Sequence, residues 1–217
     1  MNTDAGKRLA ALALSGVITW MADAQAIKPL YQNDFEKAAL DSVPDEFLIS
    51  EGAFAVKADG GNKFLELPGA PLDTFGFYFG PTAKENLAVT ARFNGTGKGR
   101  LRPTYALSLG AGGQFKLQMS PAKKAIELFK GDEVAATAPF DWLSGKWLVL
   151  HLQVRKTGSA WRVEGKVWPH GEAEPKDWTI TLDVAEEPLP GRPAIWASPF
   201  AGTPIQFDDL QVVSLAP

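Results

Sequence analysis

Gly145-Lys-Trp-Leu-Val-Leu-His-Leu-Gln-Val-Arg155, followed closely by Trp161-Arg-Val-Glu-Gly-Lys-Val-Trp-Pro169, is the stretch on which the fold turns. In the first run Leu148, Leu150, Leu152 and Val154 share one parity, and Trp147, Val149, His151, Gln153 and Arg155 share the other. In the second, Trp161, Val163, Gly165 and Val167 alternate with Arg162, Glu164, Lys166 and Trp168. Successive side chains of a strand point to opposite faces, so this alternation describes two half-buried strands, each with an apolar inner face and a polar outer one.

The same pattern extends in both directions. Trp178, Ile180, Leu182 and Val184 alternate with Thr179, Thr181 and Asp183, which predicts a strand with Trp178 buried beside Ile180. Upstream, short strands are expected at Leu30–Glu36, Glu46–Ser50, Ala53–Lys57, Lys63–Leu67, Phe75–Phe79 and Asn86–Phe93. Thr104–Leu109 and Gln114–Met119 read as a hairpin around Gly110-Ala-Gly-Gly113. Ser120-Pro121 through Gly131 carries the cap, first-turn proline and closing glycine of a helix. Ile126 and Leu128 alternate with Glu127 and Lys130, however, and the neighbours on both sides are strands, so the context selects a strand. The fold class is all-β, an antiparallel two-sheet sandwich.

The last strand breaks its own rule. Ile205 and Phe207 share one parity while Leu210 and Val212 share the other. A strand that keeps its apolar side inward does this by absorbing an extra residue, which predicts a β-bulge at Asp208-Asp209.

At the start of the chain, Lys7 and Arg8 precede the mostly apolar run Leu9–Met21, and Ala24-Gln25-Ala26 gives a small-x-small end. This order is that of a signal peptide over residues 1–26, with the jelly-roll domain over 27–217 and a periplasmic or secreted product. The apolar run is too short for a permanent span, and no second one follows, so no integral membrane segment is expected in the mature chain. The chain has no cysteine, which rules out disulfides and thiolate chemistry. Its formal net charge is −3 with no basic block, which argues against nucleic acid as a partner.

Catalytic signatures are absent. No glutamate is followed two positions later by aspartate, so the paired-carboxylate strand of many glycanases is missing. There is no Gly-x-Ser-x-Gly elbow, and only His151 and His170 offer an imidazole. The Gly95-Thr-Gly-Lys-Gly99 run lacks the helix a phosphate cradle needs and reads as a turn. Sugar recognition remains, because pyranoses present apolar C–H faces and hydroxyl edges, matched by exposed aromatic rings beside planar polar groups. Trp147, His151, Gln153, Arg162, Glu164 and Trp168 share an outer face and are the candidate ligand-binding residues, a solvated sheet face being the plainer reading. No catalytic residue is assigned.

Gly145-Lys-Trp147, Gly165-Lys-Val-Trp-Pro169 leading through Glu174-Pro175 to Trp178, and Phe207-Asp-Asp209 together resemble concanavalin A-like (laminin-G-like) jelly-roll domains. The resemblance implies an exported, non-catalytic carbohydrate-binding or adhesion module whose partner is a polysaccharide or glycoconjugate. The alternative it implies is a glycoside hydrolase-like enzyme of the keto-disaccharide hydrolase type. Asn33-Asp-Phe-Glu36 and Phe207-Asp-Asp-Leu210 also look like the paired terminal strands that hold a structural calcium ion in several carbohydrate-binding jelly rolls. Glu36 and Asp209, then Asp34 and Asp208, are the ligands this likeness implies, with carbonyls and water completing the shell.

Overall fold

The computed structural model describes residues 29–83 and 86–215. The expected leader lies outside them. Fifteen strands are present among the described residues. The first seven are Tyr31–Asn33 (β1), Leu48–Glu51 (β2), Ala55–Asp59 (β3), Asn62–Leu67 (β4), Phe75–Tyr78 (β5), Leu87–Gly95 (β6) and Thr104–Leu109 (β7). The remaining eight are Phe115–Ser120 (β8), Ala125–Lys130 (β9), Glu133–Pro139 (β10), Leu148–Thr157 (β11), Ala160–Pro169 (β12), Ile180–Val184 (β13), Ala194–Ser198 (β14) and Ile205–Ser214 (β15).

They form two antiparallel sheets packed face to face. One has eight strands in the order β13-β12-β11-β6-β15-β4-β3, with β1 also paired to β15. The other has seven, in the order β10-β9-β8-β7-β14-β5-β2. The parity read from the sequence decides which side chains enter the space between them. Leu148, Leu150, Leu152 and Val154 are buried, as are Val163 and Val167 on β12 and Trp161, which is 8% exposed.

An aromatic seam joins the sheets. Phe77 of β5 stacks on Phe47 at 5.0 Å and meets Phe207 of β15 edge-on at 5.9 Å. Phe207 meets Phe93 of β6 edge-on at 5.7 Å, and Phe93 stacks on Tyr105 of β7 at 5.0 Å. Such pairs add about 0.5–1.5 kcal/mol each beyond the area they bury. Gly165 marks a close approach of the sheets, because a Cβ there would stand 2.5 Å from Cδ1 of Leu117.

The predicted bulge is present. Asp208 pairs with Arg92 and Gln211 with Thr90, so Asp209 and Leu210 together oppose Ala91. Asp209 takes the left-handed conformation, with φ at 48°. The bulge falls where one edge of β15 changes partner: Ile205–Phe207 pair with β4, and Leu210–Val212 pair with β1. The extra residue keeps Phe207 and Leu210 both facing inward across that change.

The segment contested between helix and strand is resolved in both senses. Its helix signals produce a single 3₁₀ turn, Pro121–Lys123, ended by Lys124 at φ 51°. The chain then enters β9 with Ile126 and Leu128 in the core. Two expectations are corrected and one strand is added. Trp178 does not continue β13; it lies in the 170–179 segment, half-buried on the outer face of the eight-stranded sheet, where its indole covers His151. The first strand ends at Asn33, before Asp34 and Glu36, because Phe35 turns the backbone at φ 56° and drops into the core. The added strand is β14, which lies inside its sheet between β7 and β5.

Candidate functional site

The outer face of the eight-stranded sheet carries every ligand-binding residue anticipated from the sequence. Trp147 packs edge-on against Phe64 at 6.1 Å, and the Arg92 guanidinium lies 5.3 Å from its ring. Trp168 is half-buried opposite Val149. Most of the polar residues are satisfied by one another. Glu164 accepts from Gln153 Nε2 at 2.6 Å and from Arg155 Nε at 2.7 Å. Arg162 makes a two-pronged pair with the exposed Asp183, at 2.6 and 2.9 Å.

The 170–179 segment covers the middle of this face. Lys166 donates to Glu174 Oε1 at 3.1 Å and to the Pro175 carbonyl at 2.7 Å, with its ammonium 4.4 Å from the Trp178 ring. His151 Nδ1 lies 3.2 Å from Glu174 Oε1, while its Nε2 is buried without a partner among the described residues. Burial holds the imidazole below its ordinary pKa, and Glu174 offsets this in part. His151 is therefore neutral, with the proton on Nδ1, where the carboxylate can accept it.

Beside the bulge lies a notch of about 290 Å³ lined by Gln32, Thr90, Arg92, His170, Asp209 and Gln211. Arg92 organises it. Its Nη2 donates to Asp208 Oδ2 at 2.7 Å, and its Nη1 lies 2.9 Å from His170 Nε2. A guanidinium only donates, so His170 Nε2 accepts and its proton sits on Nδ1. Arg92 Nε is 2.8 Å from Asp209 Oδ2, but its N–H is not aligned on that oxygen, so this contact is an ion pair rather than a hydrogen bond. Burial pushes the Asp208 carboxyl up, against the opposing effects of Asn62 and Arg92.

The four carboxylates anticipated for calcium do not converge. Glu36 Oε1 accepts the Lys63 amide, and Asp34 Oδ1 accepts the Glu36 amide. Asp208 and Asp209 share Arg92, a counter-ion supplied by the chain itself. Among the described residues no group of three or more carboxylates or imidazoles is placed to hold a metal ion.

The outer face of the seven-stranded sheet presents a different arrangement, and the sequence reading missed it. Register places Gly76, Trp196, Ala106, Gln118, Glu127 and Thr137 side by side across six strands. The Trp196 ring lies over Gly76, where a Cβ would stand 2.6 Å from its Cε3. Trp196 Nε1 donates to Ser108 Oγ at 3.0 Å, and Tyr78 meets the ring edge-on at 5.8 Å. The indole is thus held flat and half-exposed at the wall of a depression of about 130 Å³, which Lys116, Gln118, Thr104, Thr74 and Ser198 also line.

Lys116 stands out on this face. Its ammonium lies 4.5 Å from the Phe129 ring and forms no ion pair among the described residues. Burial lowers its pKa, and Asp132 compensates only in part. Gln118 donates to Ser120, and its carbonyl oxygen accepts from none of the described residues. The signal for this face was available in Ala194-Ile-Trp-Ala-Ser198, whose Trp196 has the opposite parity to Ile195 and Ala197.

No protein-family model matches the chain, and no curated protein matches it. Solved structures do. A carbohydrate-binding module, CBM66, from Bacillus subtilis superposes with a TM-score of 0.52 at 11% identity, over 78% of this chain and 96% of that one. The carbohydrate recognition domain of Emp46p, in a metal-free form, gives 0.59 at 11% identity over 88% and 99%. Lectin II from Ulex europaeus gives 0.53 at 12% identity over 87% and 100%. The fold is therefore the concanavalin A-like, lectin-type jelly roll.

Proposed function

We propose that this chain is a non-catalytic carbohydrate-binding module and that its glycan site is the outer face of the seven-stranded sheet. The observation that carries this reading is the Trp196 indole, laid flat on Gly76 and fixed through Ser108, beside a Lys116 that Asp132 offsets only in part and a Gln118 oxygen with no donor among the described residues. The ring offers an apolar platform to a sugar face, and the flanking donors and acceptors match its hydroxyl edge. A desolvated ammonium only partly offset by a carboxylate lowers stability, a common trade at sites kept for binding. The solved structures with this fold include proteins named for carbohydrate recognition, which supports the ligand class.

A glycan array probed with the protein tests the proposal. Trp196→Ala abolishes retention, while Trp147→Ala leaves it intact. A wild-type protein retained by no glycan sinks the reading.

A second reading places the ligand on the opposite outer face, around Trp147 and Trp168 with His151, Gln153, Arg162 and Glu164. The notch of about 290 Å³ beside Arg92, whose guanidinium lies 5.3 Å from the Trp147 ring, is the observation in its favour. The reverse pattern in the array, loss with Trp147→Ala and retention with Trp196→Ala, selects it. The hydrolase alternative rests on Asp208 and Asp209, adjacent carboxylates in unlike environments, but Asp208 is fully enclosed and Arg92 bridges the two. Release of reducing ends from a bound glycan would promote it.

The reading includes export, carried by the pattern of residues 1–26. Amino-terminal sequencing of protein recovered outside the cytoplasm, beginning near Ile27, tests it. Among the described residues no helix is long and apolar enough to cross a membrane.

A further inference from the structure

Where β7 begins and β8 ends, the surface holds a separate depression of about 360 Å³. Arg100, Arg102, Lys124, Asp141, Trp142 and Pro121 line it. Three cations face one carboxylate there, in a chain whose formal net charge is −3. The local sign runs against that of the whole molecule.

Two of the side chains, Arg102 and Trp142, are held in place, and the backbone of a third, Lys124, is fixed. Arg102 Nη1 donates to the carbonyls of Gly99 at 2.7 Å and Leu101 at 2.8 Å. Those carbonyls belong to a tight turn closed by reciprocal backbone bonds between Lys98 and Leu101 at 3.1 and 3.0 Å. The guanidinium plane is thereby fixed, and its Nε and Nη2 donate to none of the described residues. Lys124 closes the 3₁₀ turn in the left-handed conformation, and its carbonyl accepts the Phe140 amide at 2.9 Å. That bond ties the turn to the segment bearing Trp142. Trp142 Nε1 donates at 2.9 Å to the hydroxyl of Tyr105, which is 1% exposed and packed in the core. The neighbouring Lys123 is excluded from the set, because Glu127 neutralises it at 2.8 Å.

An indole, a fixed guanidinium with open donors and an ammonium without a partner among the described residues match an oxyanion attached to a sugar ring. The guanidinium takes the oxygens, the ammonium adds charge, and the indole accepts the apolar face. Arg102 lies just ahead of Thr104, and Pro121 just beyond the strand of Gln118, so this depression adjoins the Trp196 face. We infer that it binds the anionic substituent of a saccharide, a uronic carboxylate or a sulfate ester. The saccharide identity of the ligand rests on the reading of the Trp196 face, while the anion specificity stands on these residues alone.

The test is an array of immobilised neutral, uronic acid-containing and sulfated oligosaccharides, read at low and high salt. The anionic members bind about tenfold tighter than neutral ones of equal length, the effect of one charge-assisted hydrogen bond, and salt erodes the difference. The carboxylate and sulfate arms separate the two sources of the anion. Arg102→Gln with Lys124→Gln removes the anionic preference and leaves neutral binding unchanged, whereas Trp196→Ala removes neutral binding. Anionic binding that survives Trp196→Ala and is lost in the double variant supports this site even if the Trp196 reading fails. Equal affinity for neutral and anionic glycans overturns the inference, as does a preference that survives in the double variant. Competition by inorganic polyphosphate as effective as that by the anionic glycan also overturns it, because the site then reads charge alone.

Discussion

Arg92 and Asp208 face each other across β6 and β15 at 2.7 Å, and the bulge that follows Asp208 delivers a second carboxylate, Asp209, to the same guanidinium. The pair is nearly sealed, with side-chain exposures of 14% and 1%. A buried pair of this kind adds little net stability over an apolar substitute, but removing one partner strands the other charge.

Arg92→Met is accordingly expected to destabilise the fold by about 3 kcal/mol or more. Adding Asp208→Asn should recover much of that loss. Urea titrations of the two variants check this, and equal midpoints for the single and double variants would contradict it.

Because Arg92 serves as their shared counter-ion, Asp208 and Asp209 have no need of a bound cation. Chelation is expected to leave the melting temperature unchanged, and added calcium should not raise it. A shift on adding millimolar calcium would reinstate the metal site implied by the family resemblance. Asp209→Gly should be tolerated better than Asp209→Val, since φ of 48° disfavours a β-branched residue.

Stability is expected to fall on acidification through the titration of His151. Its folded pKa lies below the unfolded value, so the unfolded chain binds the proton first as pH drops. The contribution is complete above about pH 6.5, the unfolded value, and is lost as pH falls through the folded one. Glu174 and Lys166 face the ring on the covering segment and the adjacent strand, and Trp178 closes over it. Melting curves between pH 7.5 and 5 for wild type and His151→Gln, taken at about those limits, decide the matter; the variant should show the flatter profile.

Lys116→Met should raise the melting temperature while weakening glycan retention. The sign follows from burial: the folded state disfavours the ammonium, so removing the charge relieves a cost. A variant that loses both stability and binding would show that the lysine is structural.

Parity was enough to read the sandwich, the bulge and the buried side of each long strand, because one inner face has to stay apolar along the whole chain. Parity does not say which outer face remains available. Glu164, Gln153 and Lys166 share the expected face, yet they are spent on Arg155, on one another and on the 170–179 segment, pairings that depend on three strands and a loop. Trp178 followed the alternation of Ile180 and Leu182 and still left the strand, because the loop before β13 folds back over His151. Trp196 stands out little in the sequence because its strand is short, and its small cross-strand neighbours, Gly76 and Ala106, are what leave its ring accessible.

The tilt of the Trp196 ring is determined on another strand, by a side chain that Gly76 does not have. An alanine there would push the indole off the sheet and present it at a steeper angle. On the proposed reading, glycan preference drifts through a position that no sugar touches, and a relative could keep all the contacting residues and still choose a different ligand.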